Sequence, residues 1–190
     1  MPRAQQLNKA VFLDRDGTLI HDRPGHYLSR PEDLRVYKNA PAALALLQKH
    51  GFKLFIVSNQ SGVGRGYFTG KTARAINARL ESLFKKRGVK ITETVFCPHA
   101  PDAGCSCRKP APLMGERLIR RYKLSPPVCY MAGDKKSDAQ FGRNLGFSTI
   151  FVKTGHGAAQ LKKHGGKVAD RVTADILSAA KWIIKHEIPD

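Results

Sequence analysis

Short apolar runs rich in β-branched and aromatic residues alternate along this chain with longer stretches of helical periodicity. This alternation predicts successive βα units and therefore an α/β fold built on a central parallel sheet. We expect buried strands at residues 9–13, 53–57, 94–97, 128–132 and 149–152. We expect helices at about residues 40–50, 72–87, 113–122, 137–145 and 174–185.

The chain of 190 residues shows no internal repeat or linker, so we expect one domain over residues 1–190. It contains neither a leader-like apolar run at its start nor a stretch of the roughly 18 apolar residues that a membrane helix needs. We therefore expect a cytoplasmic protein without a membrane partner, and a monomer.

The formal net charge of +18 favours anionic partners, either phosphate esters or nucleic acid. The basic residues are scattered, without the interleaved aromatic residues of a groove for single strands. Nucleic acid is therefore the less favoured partner.

Polar residues follow the predicted strands at the points where those strands end. Asp14 and Asp16 follow the first strand, Ser58 follows the second, and Asp134 follows the fourth. Ligands of open parallel sheets bind at the carboxyl ends of the strands, so we expect an active site there. Three converging carboxylates favour Mg²⁺, and carboxylates, Mg²⁺ and a lysine together are typical of phosphoryl transfer. A lone DxD is more often a turn or a helix cap, but here it follows a buried strand and the other motifs come in order.

The stretch CPHAPDAGCSCRKP, residues 97–110, contains Cys97, His99, Cys105 and Cys107. Three thiolates and one imidazole form the ligand set of a closed tetrahedral zinc site, which would be structural. A disulfide is a weaker interpretation, because a bridge between Cys105 and Cys107 would be strained, and unligated cysteines are a further alternative. Cys129 lies within an apolar strand and is predicted to be a core thiol.

Four motifs carry a resemblance to a known superfamily. DRDGTL resembles the first motif of the haloacid dehalogenase superfamily of phosphatases, IVSN its second, Lys109 its third and GDKKSD its fourth. With SNQSGVGRGYFT and CPH...CSCRKP, the motifs are similar to those of the D,D-heptose 1,7-bisphosphate phosphatase and histidinol phosphatase family, from about residue 9 to about 155. The resemblance implies a three-layer Rossmann-like fold.

The resemblance also implies roles for the acidic residues. Asp14 would be the nucleophile that forms an aspartyl phosphate, and Asp16 the general acid and base, turned away from the metal and able to hold a proton. Asp14, the backbone carbonyl of Asp16, and Asp134 would hold Mg²⁺. Asp138 would hold Lys109 or a metal-bound water.

The remaining motif residues would handle the phosphoryl group and the second metal. Ser58 and Asn59 would bind the phosphoryl group, and Lys109 would neutralise its charge. The family carries a zinc loop of the CxH...CxC type, often with a longer interval than the five residues found here, so residues 97–107 are expected to be a short zinc loop after the third strand.

No folded cap fits between residues 16 and 40 or between residues 62 and 109, so loops must recognise the substrate. Gly62, Gly64 and Gly66 do not form a nucleotide-binding loop, because they follow the second strand and lack GxGxxG spacing. They favour a flexible turn. An open site with a cationic rim suits a substrate with a second phosphate. The candidate contacts are Tyr27, Gln60, Ser61, Arg65, Arg108 and Lys136.

The resemblance implies the leading hypothesis, which is hydrolysis of the C7 phosphate of D-glycero-D-manno-heptose 1,7-bisphosphate in nucleotide-activated heptose synthesis for lipopolysaccharide core or S-layer. Histidinol-phosphate phosphatase is an alternative, although its substrate would favour an acidic or apolar pocket. A nucleic-acid 3′-phosphatase is a second alternative, suggested by the charge. The last alternative is a non-catalytic protein that uses the zinc site as a structural scaffold.

Overall fold

A computed structural model of the chain describes residues 7–23, 25–165 and 168–187. Its described part contains one six-stranded sheet in the order β3-β2-β1-β4-β5-β6, and every strand pair is parallel. The strands are β1 Ala10–Leu13, β2 Lys53–Asn59, β3 Glu93–Cys97, β4 Cys129–Gly133, β5 Ser148–Val152 and β6 Arg171–Thr173.

Helices cover both faces of the sheet and give the three layers of an α/β fold. They are α1 Ala40–Lys49, α2 Ser61–Gly64, α3 Gly70–Lys85, α4 Leu113–Tyr122, α5 Lys136–Asn144, α6 Gly157–His164 and α7 Ile176–Lys185. Helices α1, α3 and α7 pack with one apolar cluster, and α4 and α5 with another. The predicted α/β architecture is confirmed.

Strand β1 shows how one strand serves both cores. All four of its residues are fully buried, and alternate side chains point to opposite faces. Val11 and Leu13 join the cluster of α1, α3 and α7, while Phe12 joins the other cluster. The Phe12 ring lies 5.0 Å from that of Phe55 and 4.8 Å from that of Phe147. A strand buried on both faces must be apolar throughout, as its sequence is.

The predicted elements agree with the structure to within a few residues at their ends. Helix α3 begins at Gly70 and not at Thr72, because the Thr69 side chain caps it by accepting a hydrogen bond from the Thr72 backbone N–H. Three elements were not predicted: α2, α6 and β6. Helix α6 buries only Gly157, and β6 has three residues, so neither carries a clear periodic pattern.

The carboxyl ends of the strands lie open beneath loops and not beneath a folded cap. In the described residues of the connection from β1 to α1, the regular structure is a short 3₁₀ turn at Pro31–Asp33 and isolated bridges from Ile20 to Asp16 and to Val36. The connection from β3 to α4 contains the cysteine-rich stretch. Among the described residues, no helix is long and apolar enough to span a membrane.

Candidate active site

The ammonium group of Lys109 is buried at the carboxyl ends of β1 and β2. Its Nζ lies 2.6 Å from Asp14 Oδ1 and 2.7 Å from Asp138 Oδ1, and it donates to the Val57 carbonyl at 2.6 Å. Burial alone would lower the pKa of Lys109, but the charges of Asp138 and Asp14 raise it above its ordinary value. Lys109 therefore stays positively charged between two carboxylates.

Asp14, Asp134 and Asp138 bring carboxylate oxygens within 4.8 Å of one another. Burial raises the pKa of Asp14 to about 6 and that of Asp134 to about 8, and the neighbouring carboxylates add to both shifts. Asp138 is already engaged, because its second oxygen accepts from the Lys135 backbone N–H at 3.0 Å. Asp14 and Asp134 are therefore the carboxylates free to hold a cation.

The surroundings of Asp134 fit a metal ligand. Its Oδ2 accepts from the His156 backbone N–H at 2.7 Å, while Oδ1 is buried without a hydrogen-bond partner among the described residues. Gly17 lies so close that a Cβ there would overlap Asp134 Oδ2, which explains the glycine of DRDGT. An unpartnered buried carboxylate oxygen beside a second carboxylate suits a hard divalent cation such as Mg²⁺.

The Asp16 carboxylate accepts hydrogen bonds from Arg15 at 3.0 and 3.1 Å and from Gln60 Nε2 at 2.7 Å. These bonds favour its ionised form over the protonated form that was predicted. Burial alone would raise the pKa of Asp16, but the charge and hydrogen bonds of Arg15 and the Gln60 amide lower it below the ordinary value. The structure therefore holds Asp16 as a carboxylate at the wall of the cleft.

Ser58 and Asn59 end strand β2 beside Lys109. The Ser58 hydroxyl is buried and accepts from Gln60 Nε2 at 2.7 Å. The Asn59 side chain donates to the Lys109 carbonyl and accepts from the Lys109 backbone N–H, both at 3.0 Å. The Asn59 amide thus fixes the Lys109 backbone with one N–H and its oxygen, and Asn59 also lines the cleft described next.

A cleft of about 290 Å³ opens above these groups. Four predicted substrate contacts line it: Tyr27, Gln60, Ser61 and Arg108. Arg65 and Lys136 do not line it, and both are exposed. The prediction placed Lys136 at this cleft, but its neighbour Lys135 occupies that position. A larger groove of about 770 Å³ lies between α3, β3 and α4, whereas Asp16 and Lys135, which are close in the chain to the clustered carboxylates, line the smaller cleft.

Three further residues of the cleft were missed by sequence reasoning: Asp22, Lys135 and His156. Asp22 Oδ2 lies 3.0 Å from His156 Nε2 and 3.5 Å from Lys135 Nζ. Burial would lower the pKa of Lys135, but Asp14, Asp134 and Asp22 raise it. Lys135 directly follows Asp134 at the end of a strand, so the strand-end rule could have found it. Asp22 lies in a loop and gives no such signal.

Cys97, His99, Cys105 and Cys107 converge after β3. The Sγ atoms lie 3.2 to 3.7 Å apart, and His99 Nδ1 lies 3.5 Å from the Cys97 Sγ and 3.2 Å from the Cys107 Sγ. Tetrahedral Zn²⁺ with ordinary bond lengths would separate these atoms by about 3.6 to 3.8 Å. The four side chains could therefore hold one zinc ion. Cys129 is buried in β4, as expected of a core thiol.

The cysteine loop is joined to the loop that follows β2. Gln60 donates its backbone N–H to the Cys97 carbonyl, and Gly64 donates to the Pro98 carbonyl, both at 2.8 Å. A Cβ at Gly64 would press on the backbone of His99 and Ala100, so this glycine permits the close approach. Residues 61–64 form the short helix α2 and not the flexible turn that their glycines suggest.

Comparison with known proteins places the chain in a family. Residues 106–180 match the family model described as HAD-hydrolase-like. The chain is 36% identical over 176 residues to the D-glycero-beta-D-manno-heptose-1,7-bisphosphate 7-phosphatase of Pseudomonas putida, covering 93% of this chain and 99% of that protein. It is 39% identical over 138 residues to the Helicobacter pylori protein of the same name, covering 72% of this chain and 79% of that protein. The chain belongs to the heptose-1,7-bisphosphate 7-phosphatase family.

A solved structure agrees with this membership. The D,D-heptose 1,7-bisphosphate phosphatase from B. bronchiseptica, complexed with magnesium and phosphate, superposes with a TM-score of 0.86 at 30% identity, covering 93% of this chain and 98% of that one. The family resemblance seen in the motifs is thereby confirmed. Asp14, Asp134 and Asp138 cluster at the sheet edge where the sequence predicts an active site.

Replacement of Cys105 by serine should separate the two metal sites. We expect the zinc content to fall from about one ion per chain to below about 0.2, because a closed site of four ligands loses one thiolate. Magnesium binding should persist, since the carboxylates lie on other strands. Elemental analysis after dialysis measures both metals. Cys129→Ser is the matched control and should keep its zinc; equal zinc content in the two variants would contradict the assignment.

Magnesium should stabilise the protein more at pH 8.5 than at pH 6. The folded-state pKa values of about 6 for Asp14 and about 8 for Asp134 lie above the ordinary 3.8, so protons compete with the cation at lower pH. Without metal, the contribution of these carboxyl groups to stability is full below about pH 4 and is lost as the pH rises through 6 and 8.

Thermal unfolding with and without Mg²⁺ at the two pH values measures this difference, and the apparent affinity should be at least about tenfold weaker at pH 6. Asp134→Asn should abolish most of the effect, whereas Asp33→Asn, on an exposed turn, should retain it. The same stabilisation by Mg²⁺ at both pH values would refute the assignment of Asp14 and Asp134 as ligands.

Proposed function

We propose that this protein is a Mg²⁺-dependent phosphatase that hydrolyses the C7 phosphate of D-glycero-D-manno-heptose 1,7-bisphosphate. The observation that carries the proposal is the buried Lys109 ammonium between Asp14 and Asp138, with the unpartnered oxygen of Asp134 beside it. Family membership supports the choice of substrate, because the relatives are named for this activity.

In the first step Asp14 attacks phosphorus, the bond from phosphorus to the sugar oxygen breaks, and an aspartyl phosphate forms. Lys109, 2.6 Å from Asp14 Oδ1, holds the nucleophile and offsets charge that develops on the phosphoryl oxygens. Asp16 gives its proton to the leaving sugar oxygen. Since Arg15 and Gln60 favour its carboxylate form, it must acquire this proton when the dianionic substrate enters the cleft.

In the second step water attacks the phosphorus of the aspartyl phosphate, and the bond to the Asp14 oxygen breaks. Asp16 takes the proton of the water, which its carboxylate state in this structure suits. The Ser58 hydroxyl, 3.5 Å from Asp16 Oδ2, lies where it can donate to a phosphoryl oxygen instead. Inorganic phosphate leaves and Asp14 is restored.

Asp14, Asp134 and the backbone carbonyl of Asp16 would hold Mg²⁺. When bound, Mg²⁺ would neutralise charge on the phosphoryl oxygens and keep Asp14 ionised. The pairing of Asp138 with Lys109 and with the Lys135 backbone leaves it outside this ligand set, as a residue that holds Lys109 in place.

The second phosphate of the substrate would be held by the cations of the cleft. Arg108 and Lys135 both line it, and Lys135 lies beside the carboxylate cluster. Histidinol phosphate fits this cleft less well, because its ammonium group would lie near the cations Arg108 and Lys135. Both carboxylates that line the described cleft are already engaged, Asp22 by Lys135 and His156 and Asp16 by Arg15.

The cluster of Cys97, His99, Cys105 and Cys107 would bind Zn²⁺ as a structural ion. Because Arg108 and Lys109 directly follow Cys107, a closed zinc site would fix the backbone that delivers both cations to the cleft. Loss of zinc should therefore lower catalysis indirectly, by displacing Lys109.

Substrate preference tests the proposal through the specificity constant kcat/KM in the presence of Mg²⁺. The esters to compare are heptose 1,7-bisphosphate, histidinol phosphate, fructose 1,6-bisphosphate and a 3′-phosphorylated oligonucleotide. We expect the heptose ester to exceed the others by at least about tenfold, or about 1.4 kcal/mol of transition-state binding. A better rate with another ester would disprove the proposed substrate.

Asp14→Asn should abolish turnover of every ester while zinc content stays near one ion per chain. Asp33→Asn removes a carboxylate of the same kind from an exposed turn and should leave kcat/KM unchanged. Residual turnover of Asp14→Asn above about 1% of wild type would argue against covalent catalysis at this residue.

A further inference from the structure

Arg15 is the largest side chain that the fold buries completely, with 1% of its surface exposed. It stands between Asp14 and Asp16 in the sequence, and the mechanism above assigns it no contact with the reacting groups. Burying a guanidinium group is costly unless every N–H finds a partner and a countercharge lies close. We therefore expect an arginine that is buried beside the reacting carboxylates to have a specific role.

All three nitrogens of the Arg15 guanidinium are engaged. Nε and Nη2 form a fork on the two oxygens of Asp16, at 3.1 and 3.0 Å. Nη2 also donates to Gln60 Oε1 at 2.8 Å, and Nη1 donates to Asn77 Oδ1 at 2.7 Å. Gln60 completes the ring by donating to Asp16 Oδ2 at 2.7 Å. Both oxygens of Asp16 are thus fixed in direction by a closed network.

Asn77 explains why the network holds its position. It lies on the buried face of α3, in line with Ala73, Ile76 and Leu80, where periodicity calls for an apolar side chain. Its side-chain oxygen faces Arg15 across 62 residues of sequence. A buried amide on an apolar helix face stabilises a fold only through such a bond, so α3 supplies a rigid anchor for the guanidinium group.

We propose that Arg15, anchored by Asn77 and Gln60, is a positioning residue that aims the Asp16 carboxylate at the reacting oxygen in both steps. This inference rests on the proposed function. Arg15 acts through Asp16, because protein oxygens accept four of its five N–H groups and its side chain is only 1% exposed. Asp16 itself retains contact with the cleft, at 18% side-chain exposure.

The two chemical steps depend differently on Asp16, and this difference gives the test. Departure of p-nitrophenolate needs no proton, so an aspartyl phosphate can form from p-nitrophenyl phosphate with Asp16 misdirected. Its hydrolysis still needs Asp16 to accept the proton of water. Departure of a sugar alkoxide needs the proton from Asp16 in the first step.

Rapid mixing of Arg15→Met with p-nitrophenyl phosphate and saturating Mg²⁺ should show a burst approaching one p-nitrophenol per active site. The steady state that follows should be about 100-fold slower than in the wild type, the size expected for a misplaced catalytic group, with KM changed by less than about threefold. The heptose ester should show the same loss of kcat without a burst of released sugar phosphate.

Asn77 variants keep the proposal testable if Arg15→Met does not fold. Asn77→Leu removes the anchor but leaves Arg15 and Asp16 in place, and it should lower the steady-state rate by about fivefold to tenfold and give a partial burst. Asn77→Asp keeps an acceptor for Nη1 and should stay within about twofold of wild type. Rescue by this conservative variant would not follow from a general loosening of the core.

The proposal is overturned if both Arg15→Met and Asn77→Leu turn over p-nitrophenyl phosphate within about threefold of wild type. It is also overturned if burst and steady-state rates fall together. Should the wild-type protein be inactive only on the heptose ester, the proposed substrate fails while the aryl ester still decides the role of Arg15. Should neither ester be hydrolysed, both proposals fail.

Discussion

The buried contact of Lys109 with Asp14 and Asp138 is the interaction on which the site depends. Removing one partner from a buried, hydrogen-bonded ion cluster leaves the others uncompensated, at a cost of about 3 to 5 kcal/mol. Two sets of hydrogen bonds position Lys109: its ammonium group donates to the Val57 carbonyl, and its backbone is bonded to the Asn59 side-chain amide. The cysteine loop directly precedes it in the chain. The cysteine loop and the carboxylate cluster are therefore linked through Lys109.

The charge balance of the site explains why a cation belongs there. Three buried carboxylates, those of Asp14, Asp134 and Asp138, face two ammonium groups, those of Lys109 and Lys135. If all three are ionised, one negative charge remains uncompensated, and this excess contributes to the raised pKa of Asp134, whose Oδ1 has no partner among the described residues. A divalent ion would reverse the sign of the local charge, and the site would then attract a phosphate dianion.

Much of the fold and part of the site could be predicted from the sequence, because both follow local rules. Buried strands that must be apolar on both faces stand out, and the residues just after them mark the sheet edge, which yields Asp14, Ser58 and Asp134. Lys109 carries no such signal, since it lies in a loop far from any strand end, and only the resemblance of motifs identified it. Monomeric state and cytoplasmic location stay predictions.

What the sequence did not reveal depends on contacts between distant segments. The bond from His156 to Asp22 spans 134 residues, and that from Arg15 to Asn77 spans 62. Helical periodicity assigns Asn77 to the core, and charge alone cannot tell Lys135 from Lys136. Arg65 and Lys136 were placed at the cleft because a cation near a motif was taken to face it; neither lines the cleft, and their contact with substrate stays a prediction. The direction of a side chain at the end of a helix depends on tertiary packing.

The most direct test of this account is to look for a phosphoryl group on Asp14 during turnover of heptose bisphosphate labelled with ³²P at C7. Acid quenching within milliseconds should trap a labelled protein whose label is released by hydroxylamine, as expected of an acyl phosphate, and maps to the peptide that contains Asp14. Release of labelled phosphate with no labelled protein at any time, or label on a peptide without Asp14, would contradict the account.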